Sequence, residues 1–159
     1  MPNRGGFTII ELLVVIGISV ILAAAATPLY GSLQISAQLN DNTALIIQSL
    51  RTARELSVAG YNFSPHGVYF DNNVGGRSGY TLYQGNSYAT RLTGFDKETI
   101  FDEALITSST NLNRIGADID INFSRGTGVP SNTGTLRLIH SVNEGRAISI
   151  NSIGKIEEE

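Results

Sequence analysis

The chain has 159 residues, a formal charge of −3 from 11 Lys and Arg against 14 Asp and Glu, and no cysteine. The length suits one domain plus an anchor. The charge shows no basic excess for nucleic acid or anionic lipid, and the missing thiols exclude disulfides, thiolate metal sites, a Cys nucleophile and a lipid-modified cysteine anchor.

The first element is a short polar leader, residues 1–6, with one positive side chain, Arg4. Ile9 to Ala26 follows, 18 residues interrupted only by Glu11 and Ser19. At the helical rise it reaches about 27 Å, close to the ~30 Å of membrane hydrocarbon. The positive leader is expected to stay cytoplasmic and the bulk of the chain to be exported. Glu11 is the anomaly, because a charge at mid-bilayer costs about 2.5–3.5 kcal/mol and marks a functional suspect. A cleaved secretory signal ending at Ala23-Ala24-Ala25 leaves it without a role, and so does a plain anchor. The structural alternative is a carboxylate snorkelling to the headgroups. Gly17 would let another helix approach closely.

From Pro28 the pattern turns amphipathic. Leu39, Thr43, Ile46, Leu50, Ala53 and Leu56 fall on one helix face, with Asp41, Gln48, Arg51 and Glu55 elsewhere on the wheel. Arg51 and Glu55 form an i,i+4 pair, read as a solvated contact, and Gly60 is a C-terminal stop. One helix from Phe7 to Ala59 would be roughly 80 Å long, and Pro28 would bend it.

After Gly60 the period changes to 2. His66–Phe70, Tyr80–Tyr83, Asp118–Phe123, Thr135–Ile139 and Ala147–Ile150 read as strands, with a short last one at Lys155-Ile156. Turns are expected at Asp71-Asn72-Asn73 with Gly75-Gly76, at Asn143-Glu144-Gly145 and at Asn151–Gly154. An antiparallel meander, apolar on one face, would be covered by the amphipathic half of the helix. Residues 90–113 leave two readings open: a strand over Phe101–Ile106, or a solvated loop marked by Asp96, Lys97, Glu98 and Asp102. The segments are therefore a leader at 1–6, an apolar helix at 7–30, an amphipathic helix at 31–60 and a β-rich head at 61–159, an α+β fold.

The chain offers little chemistry. His66 and His140, the two histidines, have no partner at metal spacing and read as surface or turn residues. There is no nucleophile elbow and no phosphate loop. Asp71–Gly76 lacks the downstream Glu of a calcium loop and reads as a turn. Asp118 and Asp120 alternate on an outward strand face, which points to solvent exposure rather than to a hydrolase. Glu157-Glu158-Glu159 reads as a solvated acidic tail. No catalytic residue, metal site or cofactor is expected, and the eight dispersed Lys and Arg after Gly60 make nucleic acid an improbable partner.

The ordered run Gly6-Phe7-Thr8-Ile9-Ile10-Glu11-Leu12-Leu13-Val14-Val15-Ile16 resembles the N-terminus of type IV pilins and type II secretion pseudopilins. Pro28 and Tyr30 fall where that family has a helix-kinking proline and a following tyrosine. The resemblance implies a filament subunit rather than an enzyme. Prepilin peptidase would cut between Gly6 and Phe7, and the new Phe7 amine would be methylated. Glu11 would pair with the terminal amine of a neighbouring subunit and set the register of stacking. The implied partners are the peptidase, other pilin or pseudopilin subunits, an inner-membrane assembly platform and membrane lipid. The implied location is the cytoplasmic membrane with an extracytoplasmic head, then the filament. Leu50-Arg51-Thr52-Ala53-Arg54 and the final Ile148–Ile156 segment resemble GspH/FimT-like minor pseudopilins, some of which assist DNA uptake. Major pseudopilins can bind calcium in their heads. The rival readings are an anchored binding domain that never polymerises and, last, an exported hydrolase.

Overall fold

A computed structural model describes residues 6–74, 77–101, 105–140 and 145–159, with the side chains at 26–30, 32, 73–74, 77, 105–108 and 140 outside the description. The chain divides into two compact units, Met1–Ala37 and Gln38–Glu159, and helix α1 (Ile9–Val58) contributes to both. Its helical backbone continues through Pro28. The helix stops where expected. Gly60 takes a left-handed φ of 65°, open to glycine at little cost, and its N–H donates to the Ser57 carbonyl at 3.0 Å.

In the first unit, the eleven large apolar side chains between Ile9 and Leu22 are 50–87% exposed. They recur at all but three positions of the stretch (Glu11, Gly17 and Ser19), so no helix face is polar throughout. Among the described residues no helix is long and apolar enough to cross a membrane. The described side chains of the apolar run end at Ala25, whereas the expected 18-residue span includes Ala26.

The second unit holds the core. On its part of α1, Leu39, Thr43, Ile46, Leu50, Ala53 and Ser57 are essentially inaccessible. The 4,3 spacing that predicts this stripe continues through Ser57 rather than Leu56, which is only half-buried. Each fully buried Leu or Ile on such a face contributes about 1.5–3 kcal/mol.

The head is two antiparallel sheets rather than one meander. Strands β1 (His66–Val74), β2 (Arg77–Gln84), β3 (Lys97–Ile100) and β5 (Ile119–Phe123) form the first, in the order β3-β2-β1-β5. Strands β4 (Leu105–Thr110), β6 (Gly134–His140), β7 (Gly145–Ile150) and β8 (Ile156–Glu158) form the second, in the order β4-β6-β7-β8. Alternation locates each strand but not its partner, and β5 pairs with β1 across some fifty residues. Register aligns the core in layers. Val68 lies opposite both Leu82 and Ile121, and Phe70 opposite both Tyr80 and Ile119. Gly67 is required at its position, since a Cβ there would lie 2.8 Å from the Ile121 carbonyl and 2.5 Å from the Tyr83 hydroxyl.

The helix is tied to both sheets. Ser49 Oγ donates to the Tyr80 hydroxyl on β2 at 3.1 Å, Arg51 donates to the Ile156 carbonyl on β8 at 3.1 Å, and Asn40 Oδ1 accepts from Arg146 on β7 at 2.9 Å. Arg51 therefore serves the sheet rather than a solvated contact with Glu55. Arg54 reaches the Ile153 carbonyl at 3.4 Å. Its side chain lies against Gly128 and Gly154, where a Cβ would be 3.1 Å and 2.7 Å from it.

Three other expectations change. The turn expected at Asp71–Asn73 is strand, with a register irregularity between Asp71 and Val74; Gly75, Gly76, Asn143 and Glu144 lie outside the described residues. The region 90–113 is neither one solvated loop nor a strand over Phe101–Ile106: it contains β3 and β4, Phe101 is in neither strand and residues 102–104 lie outside the description, and the charged Lys97 and Glu98 sit on an edge strand, where charge blunts edge pairing. The acidic tail is exposed, as expected, but partly strand: Glu157 and Glu158 pair with Ser149 and Ile148, and the Lys155 ammonium meets Glu157 at 2.5 Å.

Candidate functional site

The site suggested by the sequence is the start of α1. Thr8 is the residue before the first helical position, and Glu11 is the third residue of the helix. Glu11 N–H donates to Thr8 Oγ1, while Thr8 N–H and Thr8 Oγ1 both donate to Glu11 Oε2, each at 3.3 Å. This is a capping box. The two side chains reciprocally satisfy backbone donors that the first helical turn cannot, and a negative charge rests on the positive end of the helix dipole. The spacing Thr-x-x-Glu was the available signal, and a reading centred on the charge alone passes over it. Leu12 N–H then makes the first helical bond to the Thr8 carbonyl, at 3.2 Å.

The capping box turns Glu11 back toward the residues that precede the helix. Its Oε1 has no hydrogen bond among the described residues, and the side chain is exposed. A carboxylate held in this way can accept a cation from outside the chain at the cost of little further ordering. Phe7 is 80% exposed. Gly6 has open space around it, so the Gly6–Phe7 peptide is accessible on non-helical backbone. Farther along, Ser19 Oγ donates to the Val15 carbonyl at 2.8 Å, which hides the polar group of the run within the helix itself. No atom lies within 4 Å of a Cβ built on Gly17. The side chains of Pro28 and Tyr30 lie outside the description.

In the head, several residues stand differently from their expectation. His66 is buried, 3% exposed, rather than on the surface, because its N–H is fixed to α1 by Ser57 Oγ at 2.9 Å. That hydroxyl also donates to the Ala53 carbonyl at 2.8 Å. Burial lowers the His66 pKa, with the Ser64 carbonyl opposing. His140's side chain lies outside the description.

Asp118 and Asp120 are half-buried and engaged rather than solvated. Tyr69 donates to Asp118 at 2.7 Å and Tyr83 to Asp120 at 2.6 Å, while the Asn72 and Tyr88 N–H groups use the remaining carboxylate oxygens. Burial and then the neighbouring carboxylates push both tyrosine hydroxyls up. Tyr88 stacks flat on Tyr69 at 3.7 Å, and the Arg91 guanidinium lies 3.7 Å from the Tyr88 ring centre, held by Asp96 at 2.8 Å. These contacts fasten the 85–96 connection to the outer face of the first sheet, and the two aspartates are occupied by that task. Among the described residues no group of three or more His, Asp or Glu could hold a metal ion.

Comparison with known proteins adds one finding. Residues 1–27 match the family model described as the prokaryotic N-terminal methylation motif. No curated protein and no solved structure matches the chain. The matched segment contains Gly6, Phe7, Thr8 and Glu11, and ends one residue before Pro28. It supports a type IV pilin-like chain, the type of substrate that prepilin peptidase processes, in a family that is generally structural rather than enzymatic.

Proposed function

We propose that the chain is a structural subunit of a type IV pilus-like or type II secretion pseudopilus filament. Prepilin peptidase cuts after Gly6, and the new amine of Phe7 is methylated. The apolar half of α1 holds the precursor in the cytoplasmic membrane and later packs in the filament core, with the head outside. Pro28 bends the helix between its apolar and amphipathic parts. In the filament, Glu11 pairs with the N-terminal amine of a neighbour, and the assembly platform and membrane lipid are the other partners. The resemblance of the Leu50–Arg54 segment and of the final hairpin to those of GspH/FimT-like proteins is the ground for placing the chain in that minor subclass.

The observation that carries this reading is an apolar helix start, exposed all round, whose single carboxylate is oriented by a cap inside a matched methylation motif. Burying that surface against other helices is the driving term, and a buried carboxylate needs a cationic partner. N-terminal sequencing of the mature protein tests the processing step. A start at Phe7 is expected; a start near Thr27 or at Met1 refutes it. For the assembly step, Glu11→Ala is expected to insert and be cut normally yet to be depleted from filaments. Normal incorporation of that variant would sink the register role.

A further inference from the structure

Past the end of α1, three stretches of chain close one end of the head: 58–64, 92–97 and 124–129. Hydrogen bonds tie them together. Gln84 accepts from the Asn62 amide at 3.0 Å and from the Leu92 N–H at 2.9 Å, and Arg125 donates to the Phe63 carbonyl at 2.9 Å. This end is apolar where it meets water. Phe63 is 88% exposed, and Val58, Tyr61, Leu92, Phe95 and Val129 are each about half exposed. A contiguous exposed patch of this kind marks an interaction surface. The backbone is strained in holding Phe63 outward. Asn62 and Phe63 take φ values of 51° and 54°, a left-handed region that a bulky residue rarely enters, and such strain clusters where it serves binding or catalysis.

The rim of the patch is basic. Lys97 and Arg125 form no ion pair among the described residues, and the one carboxylate in the three stretches, Asp96, is paired with Arg91 at 2.8 Å. Glu98 follows Lys97 but pairs with Thr81, on the opposite face of β3. The charge of this end is therefore opposite in sign to the −3 of the whole chain. Two copies would repel each other here, so a second copy is a poor cover for the patch. Aromatic side chains standing out from turns, with Lys and Arg beside them, suit the boundary of a bilayer. Rings enter at the headgroup level while cations meet anionic headgroups. We infer that this end of the head binds the surface of an anionic lipid bilayer, with Phe63 as the inserted side chain and Lys97 and Arg125 as the contacts to lipid charge. The inference rests on the head alone and stands whether or not the chain assembles into filaments.

The test uses the full chain in phosphatidylcholine nanodiscs, whose lipid covers the apolar start of α1. The chain contains no tryptophan, so Phe63→Trp places a single fluorophore on the patch. Phosphatidylglycerol vesicles are expected to shift its emission to the blue saturably, and brominated acyl chains in those vesicles to quench it. Phosphatidylcholine vesicles are expected to bind about thirtyfold more weakly at low salt, the scale of two basic side chains at an anionic surface, and Lys97→Gln to lose about fivefold. High salt should abolish the preference. No blue shift with phosphatidylglycerol, equal binding to phosphatidylcholine, or a shift that brominated lipid leaves unquenched would overturn the inference. A blue shift with an acidic amphipathic peptide and none with vesicles would also overturn it, and would assign the patch to a protein partner. The unmodified chain in the same discs must float with phosphatidylglycerol vesicles when empty discs do not, which keeps the test independent of the tryptophan variant.

Discussion

The two ends of helix α1 are made of similar residues and meet opposite fates. From Ile9 to Leu22 the large apolar side chains are exposed on every face; from Leu39 to Ser57 one narrow stripe is sealed and the other faces are polar or half-open. Hydrophobicity alone does not make a core. What distinguishes the second half is a polar complement at fixed spacing, which leaves the helix one face to bury and partners within the same chain to bury it against. Among the described residues of its own unit, the first half has no such partner.

Substitutions that weigh one half against the other test this contrast. The largest effect is expected from Leu50→Ala, which should cost the head about 2–5 kcal/mol by transfer and cavity loss. Leu13→Ala should leave head stability unchanged within about 0.5 kcal/mol. Denaturant titration of both full-length variants measures the pair, and equal losses would break the comparison. Next, Ser57→Ala should cost about 1–3 kcal/mol by stranding the buried His66 N–H. Gly67→Ala should cost a similar amount, because its Cβ presses on the Ile121 carbonyl; thermal melts read both.

A smaller effect comes from pH. His66 has a folded pKa below its unfolded value, so the unfolded chain binds the proton first and stability rises with pH. The contribution is complete above the unfolded value of about 6.5 and is lost as pH falls from there through the lower folded pKa. Replacing His66 with Gln should flatten that part of the stability profile. The smallest effect belongs to the helix start. Thr8→Val removes the cap hydroxyl and should weaken only the first turn, by about 1 kcal/mol, visible as faster hydrogen exchange at residues 9–12 with an unchanged head.

Local periodicity made the helix, its stop at Gly60 and most strands readable from the sequence. It could not give the pairing of β5 with β1, because strand order is decided by contacts far apart in the chain. Ser57 was missed because a serine in a stripe looks like the stripe's end, although its hydroxyl joins α1 to β1. Asp118 and Asp120 read as solvated because alternation shows the face they occupy and not the tyrosines that meet them there. At the candidate site, the charge of Glu11 was legible and its cap was present in the spacing from Thr8.

The bonds that join α1 to the second sheet also set an order in time. Arg51 reaches a carbonyl 105 residues later, and Asn40 accepts from a side chain 106 residues later. At about 5–20 residues per second, synthesis takes roughly 5–20 s to cross such a distance. Through that interval the helix stripe has neither β7 nor β8 to close against. Contacts of this range are also slow to form, because loop closure must precede their reward. The face of α1 that meets the second sheet therefore stays open until β7 and β8 have been made.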